Sequence, residues 1–585
     1  MNLAVRSLLA SCLCLFIGTK ENYAFKQDIR HEELLSELNK RNLGIPTGLG
    51  VGITQVEAPA ALLGDPVTSI EFLPDTTNAQ FIGKTISNGS EETWGSNVAN
   101  ASNHATGVGL NLYGNSNSIA SGISSITVYE AKDWLDRGWG TGTPPTETNR
   151  LQNHSWVAWN QNTNATRRMD FAVERDGFLP IVGLYNSDSG DQNVPSDIPD
   201  IYGSIYNGIS VGISDGTHRS GLTAFDGTGR TKPEIVAPAS FTSFSTPIVT
   251  GAAALLIEAA GADTAANDQL TLKAIILAAA DKSPFPDWDQ TNTRPIDEVY
   301  GAGQLDVYEA YFIQNAGQQL HGNTIGRRGW NLDSLQANSS HEYQLAVPSG
   351  FVLKNLSALV TWNRQIVRSQ IGNGPLAILQ YNPSLANLSL ELRETGGSSL
   401  YVSDSSVDNI EHIWRDAQNI LSPGSYTLRV TTDLPAEYAL AWRSELFQDY
   451  TLWQAANFRT TPLDEQDPED DPDADGIVNL LEHAFGGDPE NQDTHILPLS
   501  YLIEENGNTY LEIRFRKPTY TNGLIYKPET VQMLTGDWSS DEADITLKSI
   551  TPDSGEFEWH TFRRVHPVQS SRQAFVRIDV STVIL

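Results

Sequence analysis

Between residues 48 and 315 short apolar runs alternate with longer stretches of helical periodicity, and this alternation restricts the architecture more than any other feature of the chain. The strand-like runs are 51–56, 123–129, 179–185 and 205–213; the helical ones are 131–135, 167–176, 246–260 and 269–280. Strand followed by helix, repeated, predicts an α/β fold built on a doubly wound parallel sheet, because each crossover helix must return along a face of the sheet. The run from Thr246, with Pro247 near its start, is apolar nearly all round and is expected to be a buried helix. After Gly322 the texture changes to strands broken by Gly, Pro, Asn and Ser, at 341–347, 353–362, 377–381, 388–392, 425–431 and 438–442. That pattern predicts an antiparallel β-sandwich.

At 585 residues the chain is too long for one core and divides into several. We assign 1–24 to a signal peptide, 25–318 to the α/β domain, 319–446 to the β-sandwich, 447–490 to an acidic connector and 491–585 to a β-rich module. Arg6 followed by a short apolar run has the form of an export signal, with cleavage expected near Ala24. Both cysteines, Cys12 and Cys14, fall inside it, so the exported chain is expected to carry neither thiol nor disulfide. No later apolar run suggests a membrane span to this reading. A net charge of −33 argues against nucleic acid or an anionic membrane as partner, since both would be repelled. The expected protein is a monomer, secreted or held in the periplasm or at the cell surface of a bacterium.

The connector holds eight carboxylates within residues 464–475 and then fits the spacing D-x-D-x-D-G-x5-E. Asp471, Asp473 and Asp475 alternate so that their carboxylates can converge on one hard cation, Gly476 permits the sharp turn, and Glu482 returns from a following helix. Ile477 would add its carbonyl and Asn479 a direct or water-mediated contact. The expected cofactor is a structural Ca2+, with none for catalysis.

Three residues of the α/β domain are candidates for chemistry. Ser243 lies at the start of the buried helix, where free N–H groups favour developing negative charge. His104 opens another short helical stretch, and Asn186 follows a strand at the carboxyl edge of the sheet, where ligands bind in such folds. Each alone is weak, since a serine there is commonly an N-cap, and a histidine or asparagine in a turn is commonly only solvated.

Their order carries more. The segments Val51-Gly-Ile-Thr-Gln-Val-Glu57, Asn103-His-Ala-Thr-Gly-Val108, Arg230-Thr-Lys-Pro-Glu-Ile-Val-Ala-Pro238 and Thr242-Ser-Phe-Ser-Thr-Pro-Ile-Val-Thr-Gly251 resemble the signature blocks of subtilisin-like serine peptidases, and Tyr300-Gly-Ala-Gly-Gln-Leu-Asp306 resembles the segment that closes that fold. The resemblance covers about residues 45 to 316. It implies a serine endopeptidase acting on polypeptides, with Ser243 as nucleophile, His104 as general base and then acid, Asn186 as side-chain donor to the oxyanion, and Asn153, His154, Ser155 and Trp156 on the strand that binds substrate backbone. The β-sandwich resembles modules appended to secreted peptidases, and the connector resembles calcium-stabilised modules near the C-termini of exported bacterial proteins.

Two positions depart from the family pattern. Glu57 stands where the family has Asp; it keeps a carboxylate, longer by a methylene, and is expected to be the third member of the triad beside His104 and Ser243, with another carboxylate such as Asp65 as the alternative. Phe241 stands where the family usually has Gly. An inactive scaffold that binds through its β modules is the alternative these departures suggest, and ester hydrolysis or peptide ligation by the same serine is a third.

Overall fold

The computed structural model describes residues 21–582 except 59, 62–69, 92–100, 158–162, 187–200, 224–225, 373–377 and 571–572. The export signal to residue 20 and Asp65 therefore lie outside the described residues. Two helices lead in, α1 (Glu21–Asp28), which runs across the expected cleavage point, and α2 (His31–Lys40). Helix α2 buries Leu34 and Leu38, the period expected of one apolar face on a core.

The α/β domain is built on a parallel sheet of seven strands among the described residues: β1 (Gly52–Glu57), β2 (Thr85–Asn88), β3 (Ser125–Glu130), β4 (Leu151–His154), β5 (Leu179–Gly183), β6 (Ile209–Ile213) and β7 (Ile235–Ala237). Their order is β7-β6-β5-β4-β1-β3-β2. The order reverses at β1, which pairs with β3 on one side and β4 on the other. A crevice at the carboxyl ends of β1 and β4 is thus where a ligand is expected. Strand β2 did not stand out in the sequence; it is short and largely exposed, so it lacks the apolar run that marks β5 and β6.

Helices α3 (Asn103–Tyr113), α4 (Thr163–Asp176), α5 (Thr242–Ala260), α6 (Gln269–Ala279) and α7 (Val307–Asn315) cover the sheet. Helix α5 is the buried helix of the sequence reading, but it starts four residues earlier, at Thr242, so Pro247 lies inside it rather than near its first turn. The cause is the first turn's capping: the N–H groups of Phe244 and Ser245 reach the Phe241 carbonyl, and that of Thr242 reaches Asn186. Among the described residues α5 alone is long and apolar enough to cross a membrane, and 67% of its most apolar stretch is buried inside the domain.

The β-sandwich has two four-stranded antiparallel sheets and a β-hairpin, Gln365–Ile371 with Ile378–Ser384. It is no loose appendage. Trp330, Leu359, Ile410, Ala439 and Ala441 from the sandwich share one apolar core with Ile275 and Ala278 of α6. Arg364 adds a buried ionic seam by pairing with Asp170 and, at 2.6 Å, with Asp226 of the α/β domain. The last module is β-rich, with a four-stranded sheet and a separate pair, Leu524–Val531 with Phe575–Thr582.

Candidate active site and cation loop

Glu57 is the last residue of β1 and is fully buried, which places a carboxylate at the crevice. His104 is the second residue of α3, whose N-terminus is capped by Ser102 Oγ accepting from the Ala105 N–H. Its Nδ1 lies 2.8 Å from Glu57 Oε2. With a carboxylate there, Nδ1 carries the proton and Nε2 presents its lone pair outward. The imidazole side chain keeps 39% of its surface exposed. Burial works against the imidazolium, but the charge of Glu57 and the hydrogen bond to it outweigh that and raise His104 above the ordinary imidazole value. The other carboxylate oxygen, Oε1, accepts from Gln55 Nε2 at 2.8 Å.

Ser243 is the second residue of α5. Its Oγ donates to the Ser155 carbonyl at 3.4 Å and makes no hydrogen bond to His104 in this arrangement. Its backbone N–H lies in the first helical turn and has no partner among the described residues. Asn186 sits just past β5, and its Oδ1 accepts from the Thr242 N–H at 2.8 Å and lies 3.0 Å from the Thr242 hydroxyl, whose proton goes to the Leu184 carbonyl at 2.5 Å. The Thr242 N–H can only donate, which fixes the amide with Oδ1 toward Thr242, so Nδ2 points away from it and has no partner among the described residues. The Ser243 N–H and the Asn186 amide are the components of an anion-stabilising pair.

The ring of Phe244 stacks on His104, with centroids 6.2 Å apart, and Gly107 makes that possible because a Cβ there would come within 2.8 Å of the Phe244 ring. Phe241 packs edge-on against Phe244 and remains 37% exposed. It therefore lies on the rim of the site, where its backbone takes an ordinary extended conformation with φ −148°.

Of the four residues expected on the substrate strand, Asn153 and His154 turn fully buried side chains inward. Asn153 bonds Ser155 Oγ and Thr250, and His154 lies between Gln152 and the Trp156 indole. Burial lowers the His154 pKa to about 3, so it stays neutral. Ser155 meets Ser243 through its carbonyl, and Trp156 packs beside Tyr202. This stretch borders the nucleophile with backbone and uses its side chains for packing.

In the connector, Asp471, Asp473 and Asp475 present carboxylate oxygens within 4.8 Å of one another. Gly476, at φ +89°, takes the left-handed turn that the loop requires. Backbone N–H groups occupy one oxygen of Asp471 and one of Asp473, while Asp471 Oδ1, Asp473 Oδ2 and both oxygens of Glu482 are buried without a partner. Glu482 is 1% exposed; burial and then Asp473, Asp493, Asp475 and Asp488 push its pKa up to about 8. Unpaired buried acceptors are rare, and this set of oxygens fits a hard divalent cation. Asn479 turns its amide nitrogen to the carbonyls of Glu465 and Asp467 and leaves its buried Oδ1 without a partner, as the expected ligand would.

Four residues escaped the sequence reading. Asp493 donates its N–H to Asp475 Oδ2 and keeps a buried, unpartnered Oδ1, yet it follows the end of the loop motif by eleven residues. Gln55 and Tyr113, with Thr242, hold Glu57 and Asn186 in place. A glutamine two positions before Glu57 in a buried strand shares its face and was the one available signal for Gln55.

Residues 76–303 match the sequence model of the subtilase family of peptidases, a stretch that includes His104, Asn186 and Ser243 but begins after Glu57. No curated protein matches the chain in sequence. Among solved structures, the prenylagaramide maturation protease PagA is 16% identical with TM-score 0.32, over 48% of this chain and 97% of that one. A cold adapted subtilisin-like serine proteinase is 16% identical with TM-score 0.29, over 44% and 90%. A protease from Pseudoalteromonas arctica PAMC 21717 is 15% identical with TM-score 0.29, over 46% and 91%. The family match carries the assignment; the structural likenesses are too distant to add to it.

Proposed function

The chain carries a subtilase-family domain with the subtilisin-like fold and is a serine-type peptidase, and from that premise we propose that it is an exported endopeptidase working through Glu57, His104, Ser243 and Asn186. The observation that carries this reading is the 2.8 Å pairing of a fully buried Glu57 with His104 Nδ1, which supplies the carboxylate that the stretch matching the family does not include.

A serine hydroxyl is a poor nucleophile until a base takes its proton. Ser243 Oγ leaves the Ser155 carbonyl, turns to His104 Nε2 and attacks the scissile carbonyl carbon as Nε2 accepts its proton. Glu57 holds the tautomer in which Nε2 is free and stabilises the imidazolium that forms. The negative charge gathering on the former carbonyl oxygen is met by the Ser243 N–H and the Asn186 amide, whose fixed orientation costs no reorganisation during the reaction. His104 then returns the proton to the leaving amine, the C–N bond breaks, and water repeats the cycle on the acyl-enzyme. The extra methylene of Glu57 lets a carboxylate at the end of β1 reach the ring.

In the same reading Asp471, Asp473, Asp475, the Ile477 carbonyl, Asn479 directly or through water, Glu482 and Asp493 hold a Ca2+ that offsets part of the connector's negative charge and takes no part in catalysis. The exported chain works as a monomer, on polypeptides.

Labelling of the purified protein with a fluorophosphonate, followed by casein turnover near pH 8, tests the proposal. Labelling that Ser243→Ala and His104→Ala both abolish, together with turnover, is the expected result. A well-folded wild type that takes no label would instead favour the scaffold without chemistry.

A further inference from the structure

Strand β1 buries a glutamine completely in the layer beneath the site, and a buried amide is costly unless its bonds are made. Those of Gln55 are made in one direction. Its Oε1 accepts from the Tyr113 hydroxyl at 2.9 Å, and its Nε2 donates to Glu57 Oε1 at 2.8 Å, with a longer contact to the Ala105 carbonyl at 3.4 Å. The flipped amide would set its oxygen against the Glu57 carboxylate, so the chemistry fixes the orientation. Tyr113 and His104 belong to the same helix, while Gln55 and Glu57 belong to the same strand face. The four side chains therefore form a chain of three hydrogen bonds from α3 to β1 and back to α3. Gly109 makes room for it, because a Cβ there would come within 2.4 Å of the Tyr113 hydroxyl.

We propose that Gln55, oriented by Tyr113, is a positioning residue that holds the Glu57 carboxylate in the plane from which it grips His104; this rests on the reading of Glu57, His104 and Ser243 given above. A glutamate has one more rotatable bond than an aspartate and would swing if only one oxygen were held. Gln55 holds the other. The titratable groups facing Glu57 among the described residues are His104 and Tyr113; burial and the Glu57 charge keep the Tyr113 hydroxyl protonated, and hence a donor.

Full-length Gln55→Met, which keeps the volume and removes the donor, tests this beside Tyr113→Phe, which removes a single oxygen and carries the test should the first variant misfold. Near-ultraviolet circular dichroism reports folding. The ionisation of His104 is followed by NMR of 13C-labelled histidine, its signal assigned by loss in His104→Ala. With Gln55 gone the carboxylate swings out of the plane from which it grips the ring, so the ionisation of His104, which that grip raises, moves down by about half a unit to one unit, less in Tyr113→Phe. On a chromogenic peptide, kcat falls about 10- to 100-fold with KM unchanged, and Gln55→Met adds nothing to the loss already caused by Glu57→Gln. An unmoved His104 titration in folded Gln55→Met overturns the proposal, and so does a loss that simply adds to that of Glu57→Gln. A wild type without turnover would sink the peptidase reading alone, because the titration still decides the role of Gln55.

Discussion

Replacing Glu57 by aspartate installs the residue that the family pattern has at this position, and the structure says it will damage the site. Glu57 reaches His104 Nδ1 and Gln55 Nε2 at 2.8 Å each. Removing a methylene withdraws the carboxylate by about 1.5 Å, to a separation of about 4.3 Å from Nδ1, where no hydrogen bond remains. With an effective dielectric constant of about 20, the attraction between carboxylate and imidazolium falls from about 6 to about 4 kcal/mol. That loss of about 2 kcal/mol acts where the imidazolium forms, on the way to the transition state. The abandoned Gln55 amide brings it to about 3 kcal/mol. The expected decrease in kcat/KM is about 30- to 150-fold, carried by kcat. The assay is initial-rate hydrolysis of a chromogenic peptide from pH 6 to 10, and because Glu57 raises the His104 ionisation, the acidic limb of the wild-type profile should lie above pH 6.5 and move down in Glu57→Asp. Glu57→Asp with equal or higher kcat/KM would refute the reasoning and mean that β1 holds its carboxylate too far forward for catalysis.

Asn186→Ala should lower kcat by about 10²–10³-fold at constant KM, the loss seen when the equivalent donor is removed from a subtilisin; a change under threefold would remove the amide from the oxyanion site. Saturating the connector with Ca2+ at a hundred times its Kd should stabilise the fold by about 2.7 kcal/mol, read as a rise in Tm that a chelator reverses and Asp493→Ala weakens; a Tm indifferent to Ca2+ would refute the site. Arg364→Ala leaves Asp170 fully buried and without its charge partner, so urea unfolding should show a loss of about 3–5 kcal/mol, and a loss below 1 kcal/mol would mean that the seam between the domains does not depend on the ion pair. Burial depresses His31 to about 4, His154 to about 3 and His218 to about 4. The unfolded chain therefore binds protons from about pH 6.5 while the folded one refuses them until near pH 4, so stability is present above pH 6.5 and lost as pH falls through that window. Urea midpoints that do not change between pH 7 and 5 would contradict it.

What the amino-acid sequence determines here is whatever is encoded by neighbours. Strands β1, β3, β5 and β6 and helices α4, α5 and α6 were legible because burial of one or both faces imposes a period on contiguous residues. The loop from Asp471 to Glu482 was legible because its oxygens converge through the turn of a single short segment. Ser243, His104 and Asn186 were visible as helix starts and a strand end, and became a set only through a family resemblance, which put Glu57 third with Asp65 as the alternative. The tertiary structure decided the rest. The grip of Glu57 on His104, the Gln55–Tyr113 support, the anchoring of Asn186 by Thr242, the fifth carboxylate at Asp493 and the seam from Arg364 to Asp170 all join positions whose separation along the chain no local period records. A strand's alternation says that Gln55 and Glu57 share a face. Only the packing of α3 against that face says which donors and acceptors they meet, because a buried polar group is paired by whatever the fold brings within about 3 Å, not by what stands beside it in the chain.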